Sequence, residues 1–86
     1  MQNLHYTQKS KEDLKKIDFL TQKRIVKKLG FFLDFWNPLY FAEKLTNSMY
    51  GEYRFRIWDY RVLFDVDREG KIIIIAVIWY RKEIYK

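Results

Sequence analysis

The sequence predicts an α+β domain in which two N-terminal helices pack on an antiparallel meander of strands. Between residues 19 and 35, apolar residues recur at helical spacing, which gives a helix one apolar stripe. Between residues 53 and 79, apolar residues alternate with polar ones or form a continuous run, as is typical of paired strands. At 86 residues, the chain is expected to form a single domain, residues 1–86, with one core.

Composition favours a polyanionic partner and gives no sign of a metal or cofactor. The 17 Lys and Arg against 11 Asp and Glu give a formal net charge of +6, which favours nucleic acid or an acidic protein. Without cysteine and with one histidine, His5, no metal site is expected. Aromatic residues form 20% of the chain, so some are expected at the surface as stacking groups, and most in the core. With no apolar signal core and no apolar run of membrane-spanning length, the protein is expected to be soluble and cytoplasmic.

The N-terminal part predicts a short strand and the starts of two helices. Residues 3–7 alternate in character and are expected to form an edge strand. Ser10 followed by Asp13 resembles a capping box, which opens a short basic helix over residues 11–16. Asp18 is expected to cap the second helix.

The second helix has an apolar stripe that is expected to lie on the sheet. Its members recur at i, i+4, i+7 and i+11: Ile25, Leu29, Phe32 and Trp36. Lys23 and Lys27 point away from this stripe, and Lys28 lies on one flank beside Arg24. A solvated helix face is the ordinary meaning of such lysines. Contact with nucleic acid is the alternative, and Lys23, Lys27 and Lys28 are the candidates for it.

Breaker residues divide the second half of the chain into a connection and three strands. Asn37-Pro38 is expected to end the helix, and one helical turn with Leu45 inward is expected within residues 39–50. The sequence DREG at residues 67–70 predicts a turn. Because residues 72–78 are apolar on both faces, they are expected to form the central strand. The three strands are expected at residues 53–58, 61–67 and 71–79.

The stretch GEYRFRIWDYRVLF, residues 51–64, predicts a hairpin with one basic face. Alternation sends Tyr53, Phe55 and Ile57 to one side of the first strand and Arg54, Arg56 and Trp58 to the other. After Asp59 the alternation resumes, and Arg61 is expected to share the surface of Arg54 and Arg56. Salt-bridged surface strands are the alternative that these residues leave open.

The spaced pattern Y-R-x-R-x-x-D-Y-R at residues 53–61 and the terminal R-K-E-I-Y at residues 81–85 resemble the RelE/ParE superfamily of bacterial and archaeal toxins. The resemblance implies two N-terminal helices on an antiparallel sheet. It also implies a toxin that pairs with an antitoxin. RelE-like members cut messenger RNA on the ribosome, and ParE-like members poison DNA gyrase.

By the RelE pattern, the resemblance implies an active site made of basic residues and a tyrosine. Arg54 and Arg56 fall at two strand positions that are often lysine, Arg61 at a turn arginine, Arg81 at a late arginine and Tyr85 at a near-terminal tyrosine. Arg61, Arg81 and Tyr85 are therefore the expected catalytic residues, with Arg54 and Arg56 binding RNA. A guanidinium cannot transfer a proton as lysine can, and Tyr80 stands where many relatives have histidine.

Metal-free cleavage by 2′-OH attack needs a base, an acid and cations for the charged phosphate. Arg61 and Arg81 suit the phosphate because a planar guanidinium can hold two oxygens. Tyr85 is the expected base, with an unperturbed pKa of about 10 that the arginines would have to lower. His5 and Glu52 are further candidates that the sequence does not place in the cluster.

The sequence favours a ribosome-dependent mRNA endonuclease and leaves two other functions open. One is gyrase inhibition by binding alone, and the other is a degenerate toxin that only binds its antitoxin. The expected partners are mRNA on the ribosome and a cognate acidic antitoxin, which would cover the cationic surface or extend a sheet edge and form a hetero-oligomer with the toxin.

Overall fold

The computed structural model describes residues 4–35, 37–46 and 51–79, and within these ranges two helices pack on a five-stranded sheet. The helices are α1 (Gln8–Lys15) and α2 (Phe19–Asp34). The strands are β1 (Leu4–Tyr6), β2 (Ala42–Lys44), β3 (Tyr53–Ile57), β4 (Tyr60–Val66) and β5 (Ile72–Trp79). Their order is β1-β5-β4-β3-β2, with β1 parallel to β5 and the other pairs antiparallel. The predicted α+β fold is confirmed.

The N-cap prediction is wrong for α1 and confirmed for α2. The N-cap of α1 is Thr7 and not Ser10. The side-chain oxygen of Thr7 accepts a hydrogen bond from the backbone N–H of Ser10 at 3.2 Å. Ser10 lies one turn inside the helix, where its buried hydroxyl donates to the carbonyl of Thr7 at 2.8 Å. Asp18 caps α2 by accepting the N–H of Thr21 at 3.1 Å. None of the described helices is long and apolar enough to cross a membrane.

The core lies between the helices and one face of the sheet. As predicted, α2 buries Ile25, Leu29 and Phe32, while Trp36 lies outside the described residues. The ring of Phe32 lies 4.8 Å from that of Phe55, which stacks on Phe64 at 4.4 Å. Asp13 of α1 joins the helix to the sheet, because its Oδ2 accepts the N–H of Val77 at 3.0 Å.

The connection after α2 differs from the prediction. A 3₁₀ turn at Pro38–Phe41 leads into β2, which pairs with β3. The expected helical turn is present and begins one residue before residues 39–50, whereas the strand β2 was missed. Leu45 is half-buried and donates its N–H to the carbonyl of Glu52 at 2.7 Å. Gly51 has φ +105, and a Cβ there would lie 2.8 Å from the carbonyl oxygen of Phe64, so only glycine fits this entry to β3.

The three predicted strands are present, but β4 takes the central position that was predicted for β5. β4 lies between β3 and β5, and β5 lies between β4 and β1. Residues 72, 74, 76 and 77 of β5 are buried, whereas residues 73, 75 and 78 are only half-buried. The predicted turn at residues 67–70 is confirmed, since Oδ1 of Asp67 accepts the N–H groups of Glu69 and Lys71.

Candidate functional site

Three arginines lie on the face of the sheet opposite to the helices. β3 buries Phe55 and Ile57 in the core, which turns Arg54 and Arg56 to the other face. Arg61 of β4 is directly opposite Arg56, and directly opposed side chains point to the same side. We call the surface defined by Arg54, Arg56 and Arg61 the arginine face. The structure brings these predicted residues together.

The pairing of Arg56 with Arg61 places two positive charges side by side. Directly opposed residues in antiparallel strands have Cα atoms about 4.5–5.5 Å apart, and like charges at such positions repel. Arg56 is exposed, whereas Arg61 is buried with 8% of its surface accessible. The fork of a guanidinium suits phosphate oxygens, and the exposed side chain of Arg56 is accessible to such an anion.

Arg54 pairs across the strands with an acid. Its Nε lies 3.3 Å from Oε1 of Glu43, the residue opposite it in β2. Both side chains are partly exposed, so this ion pair contributes little to stability. It neutralises one of the three charges, and the alternative of salt-bridged surface strands therefore holds for Arg54.

Arg61 extends along the sheet to the β3–β4 turn. Its Nη1 donates to the carbonyl oxygens of Trp58, at 3.3 Å, and Tyr60, at 3.2 Å. The head group of Arg61 thus lies at the end of the hairpin and helps to hold the turn. Any catalytic role of Arg61 has to be separated from this structural one.

The prediction that Trp58 shares the surface of Arg54 and Arg56 is wrong. β3 ends at Ile57, and Trp58 lies in the turn with a φ of +57. Its ring is packed against Arg24 of α2, whose guanidinium carbon is 4.4 Å from the ring centroid. Because α2 covers the core face, the indole lies toward the helix side. The positive φ interrupts the alternation on which the prediction relied.

The rest of the arginine face is partly apolar. Leu63, opposite Arg54, is 2% exposed, and its β5 partner Ala76 is 0% exposed. His5 is opposite Ile73 of β5, and Ile73 is opposite Asp65 of β4. The side chain of His5 therefore points to the same side of the sheet as the arginine face. His5 lies two strands and four residues away from Arg61, roughly 16 Å by strand spacing and rise.

The lysines proposed to contact RNA lie elsewhere. Lys23, Lys27 and Lys28 are exposed on α2, which covers the opposite side of the sheet. Lys23 lies over the ring of Phe19 at 5.4 Å, and Lys28 lies over that of Phe31 at 5.1 Å. The structure therefore separates these lysines from the arginine face, and their contact with nucleic acid stays a prediction.

Two expected catalytic residues, Arg81 and Tyr85, lie outside the described residues, as does Tyr80. Within the described ranges, no three metal-ligating side chains come together. Burial raises the pKa of Tyr6, and hydrogen bonds from Thr21 lower the pKa of Asp18. Both groups lie away from the arginine face, so these shifts belong to the structure of the domain.

Sequence reasoning missed the pair formed by Arg24 and Trp58. The signal available was the dipeptide Trp58-Asp59 between two alternating runs, because a two-residue loop is a common hairpin connection. The partner on α2 could not be found this way, since it depends on how the helix crosses the sheet.

Comparison with known proteins adds a family and a fold. Residues 4–85 match the family model described as the ParE toxin of type II toxin–antitoxin systems, parDE. The chain also resembles a chain in the crystal structure of the toxin–antitoxin complex RelBE2 from Mycobacterium tuberculosis. That match has a TM-score of 0.77 and 22% identity and covers 91% of this chain and 96% of the other. No curated protein sequence matches at a significant level.

Proposed function

We propose that this chain, which belongs to the ParE toxin family of type II toxin–antitoxin systems, is a ribosome-dependent endonuclease that cleaves mRNA by 2′-OH attack without a metal ion. The observation that carries this proposal is the arginine face. Arg54, Arg56 and Arg61 share one side of a hairpin, and Arg56 opposes Arg61 directly. The exposed Arg56 would meet an RNA phosphate at this end of the hairpin, with Arg61 opposite it in the neighbouring strand.

The arginines divide the proposed work according to their exposure. Arg56 is exposed and is proposed to bind phosphate in the ground state and transition state alike. Arg61 is anchored at the turn carbonyls, and a donor fixed in this way suits the charge that develops as the 2′ oxygen attacks. Arg81 and Tyr85 enter the proposal from the sequence alone, as second phosphate ligand and as base.

Gyrase inhibition is the second candidate, and two observations favour it. The matching family model is that of ParE toxins. In addition, the guanidinium of Arg61 already donates to two backbone carbonyls, and none of the three arginines can transfer a proton. A toxin that acts by binding alone would use the same basic surface without catalysis. A degenerate toxin that only binds its antitoxin would lack both activities.

One experiment separates the three candidates. The purified protein is added to a translation extract, and in parallel to a gyrase supercoiling assay. Cut messages with unaffected supercoiling support the endonuclease. Failed supercoiling with intact messages supports gyrase inhibition, and no effect in either assay supports the degenerate toxin. An Arg56→Ala variant should weaken whichever activity the wild type shows, and it should stay folded because Arg56 is exposed.

We also propose that the partner is an acidic antitoxin and that it reaches the cytoplasmic toxin at two places. The net charge of +6 favours an acidic chain over the arginine face. Among the described strands, β2 pairs only with β3, so its outer edge can accept a further strand. Co-expression with the product of the neighbouring reading frame tests this. A product that neither binds nor relieves growth arrest would refute it.

A further inference from the structure

Trp58 occupies a turn position that suits glycine. Ile57 and Tyr60 are paired, which leaves Trp58 and Asp59 as the two residues of the hairpin loop. Trp58 has a φ of +57, and Asp59 does not have a positive φ. This is the pattern of a type II′ turn, whose first central residue is preferably glycine. An L side chain in this region is strained, and such strain often marks a functional site.

The strained side chain is largely exposed. The residue is 62% accessible, so its ring adds little to the core. One side of the ring is held by Arg24, with 4.4 Å between the guanidinium carbon and the ring centroid. The carbonyl of Trp58 accepts a hydrogen bond from Arg61 at 3.3 Å. The turn therefore holds an aromatic surface in a fixed position where glycine would be less strained.

We infer that Trp58 is a stacking platform for a base of single-stranded RNA at the β3–β4 turn, on the helix side of the hairpin. The inference rests on the proposed function and adds the residue on which a base of the mRNA stacks. The guanidinium of Arg24 lies on the indole. The head group of Arg61 is bonded to the backbone carbonyl of the same residue, and Arg56 is opposite Arg61 in the neighbouring strand. Aromatic rings among cations bind single strands because a base stacks on the ring while its phosphates meet the charges.

A second exposed pair on α2 provides the matched control. Phe19 is 69% exposed, and the Nζ of Lys23 lies 5.4 Å from its ring centroid. It is likewise an exposed ring with a cation. However, it lies in an ordinary helix, without a positive φ and away from the arginine face. Phe19→Ala tests whether any exposed ring beside a cation binds RNA.

The first experiment measures the affinity of a short single-stranded RNA oligonucleotide by fluorescence anisotropy. Trp58→Gly should weaken binding by roughly 5- to 150-fold, the range for losing one base–aromatic stack. Phe19→Ala should bind as the wild type does. Trp58→Gly should keep or raise the thermal midpoint, because glycine fits the turn and only an exposed ring contact is lost. Unchanged RNA affinity in Trp58→Gly overturns the inference.

A second measurement uses the wild-type protein and does not depend on the stability of a variant. The three tryptophans are labelled with 5-fluorotryptophan, and the signal that is absent in Trp58→Phe is assigned to Trp58. Adding the oligonucleotide should shift the ¹⁹F resonance of Trp58. If that resonance stays in place while RNA binds, the inference is wrong.

The translation extract separates this inference from the proposed function. If the wild type cuts messages and Trp58→Gly cuts them equally well, only the stacking role fails. If the wild type leaves messages intact and blocks supercoiling, the proposed function fails and the inference with it. If Trp58→Gly retains RNA affinity but loses the antitoxin, the ring is a protein contact and the inference is overturned.

Discussion

The two faces of the β3–β4 hairpin hold their side chains by different means. On the core face, Phe55 and Phe64 are 0% exposed, and their rings stack at 4.4 Å. On the arginine face, Arg56 is exposed and Arg61 is held by carbonyls of the turn. Packing fixes the first face, whereas hydrogen bonds and like charges shape the second. Substitutions on the two faces should therefore change different properties.

The largest expected effect is on the core face. Phe55→Ala should lower the free energy of unfolding by about 3–5 kcal/mol, because it leaves a cavity between the rings of Phe32 and Phe64. Chemical denaturation measures this change. Activity per folded molecule should be unaffected, since Phe55 points away from the arginine face. A variant with normal stability would show that the ring stack is not the centre of the core.

On the arginine face, Arg61→Ala should slow mRNA cleavage by about 10²- to 10³-fold, as expected for losing one preorganised donor. It should also lower the free energy of unfolding by about 1–3 kcal/mol, because two turn carbonyls lose their donor. Arg61→Lys is the control, since lysine keeps the charge without the planar fork. Equal growth arrest by wild type and Arg61→Ala at matched soluble levels would remove Arg61 from the catalytic assignment.

A smaller effect should distinguish the arginine face from the helix lysines. Arg56→Ala should weaken RNA binding and reduce the slope of affinity against salt by about 1, with stability changed by no more than about 0.5 kcal/mol. Lys27→Ala removes the same charge on the helix side. A titration of RNA affinity against salt compares them, and an equal change of slope would mean that the arginine face is not the main RNA surface.

The smallest expected effect concerns a polar atom at the edge of the core. The hydroxyl of Tyr6 is buried and has no hydrogen-bond partner among the described residues, so Tyr6→Phe should be neutral or slightly stabilising. Burial raises the Tyr6 pKa above its ordinary 10.0. Below about pH 10 the wild type should therefore keep the full contribution of Tyr6 to the free energy of unfolding. That contribution should be lost as the pH rises through the higher pKa of the folded state, because the unfolded state ionises first. Tyr6→Phe should lack that loss in denaturation measured at alkaline pH.

The sequence predicted the elements whose period is long and regular. The stripe on α2 spans several turns, and the alternation of β3 and β4 decides which arginines share a face. β2 was missed because three residues, two of them charged, show no period. The position of β5 was misjudged because a continuous apolar run reports burial and not the order of strands. The cap of α1 was misplaced because Thr7 and Ser10 both suit it.

The candidate site was less predictable than the fold. Periodicity indicated the face of Arg54, Arg56 and Arg61 but not what their head groups contact. The bonds of Arg61 to the turn and the contact between Arg24 and Trp58 depend on the geometry of the turn and on helix packing. Such contacts between distant residues leave no local pattern in a single sequence.

The pairing of β1 with β5 has a consequence for how the toxin folds during synthesis. Oγ1 of Thr7 lies 2.9 Å from the carbonyl oxygen of Ile74, 67 residues later in the chain, and 3.1 Å from that of Ile75. Asp13 likewise accepts a hydrogen bond from the N–H of Val77, 64 residues later in the chain. Such distant contacts form slowly because a long loop must close first. A nascent chain therefore carries an unpaired β1 and an incomplete sheet, and it acquires the toxin fold only after β5 has been made.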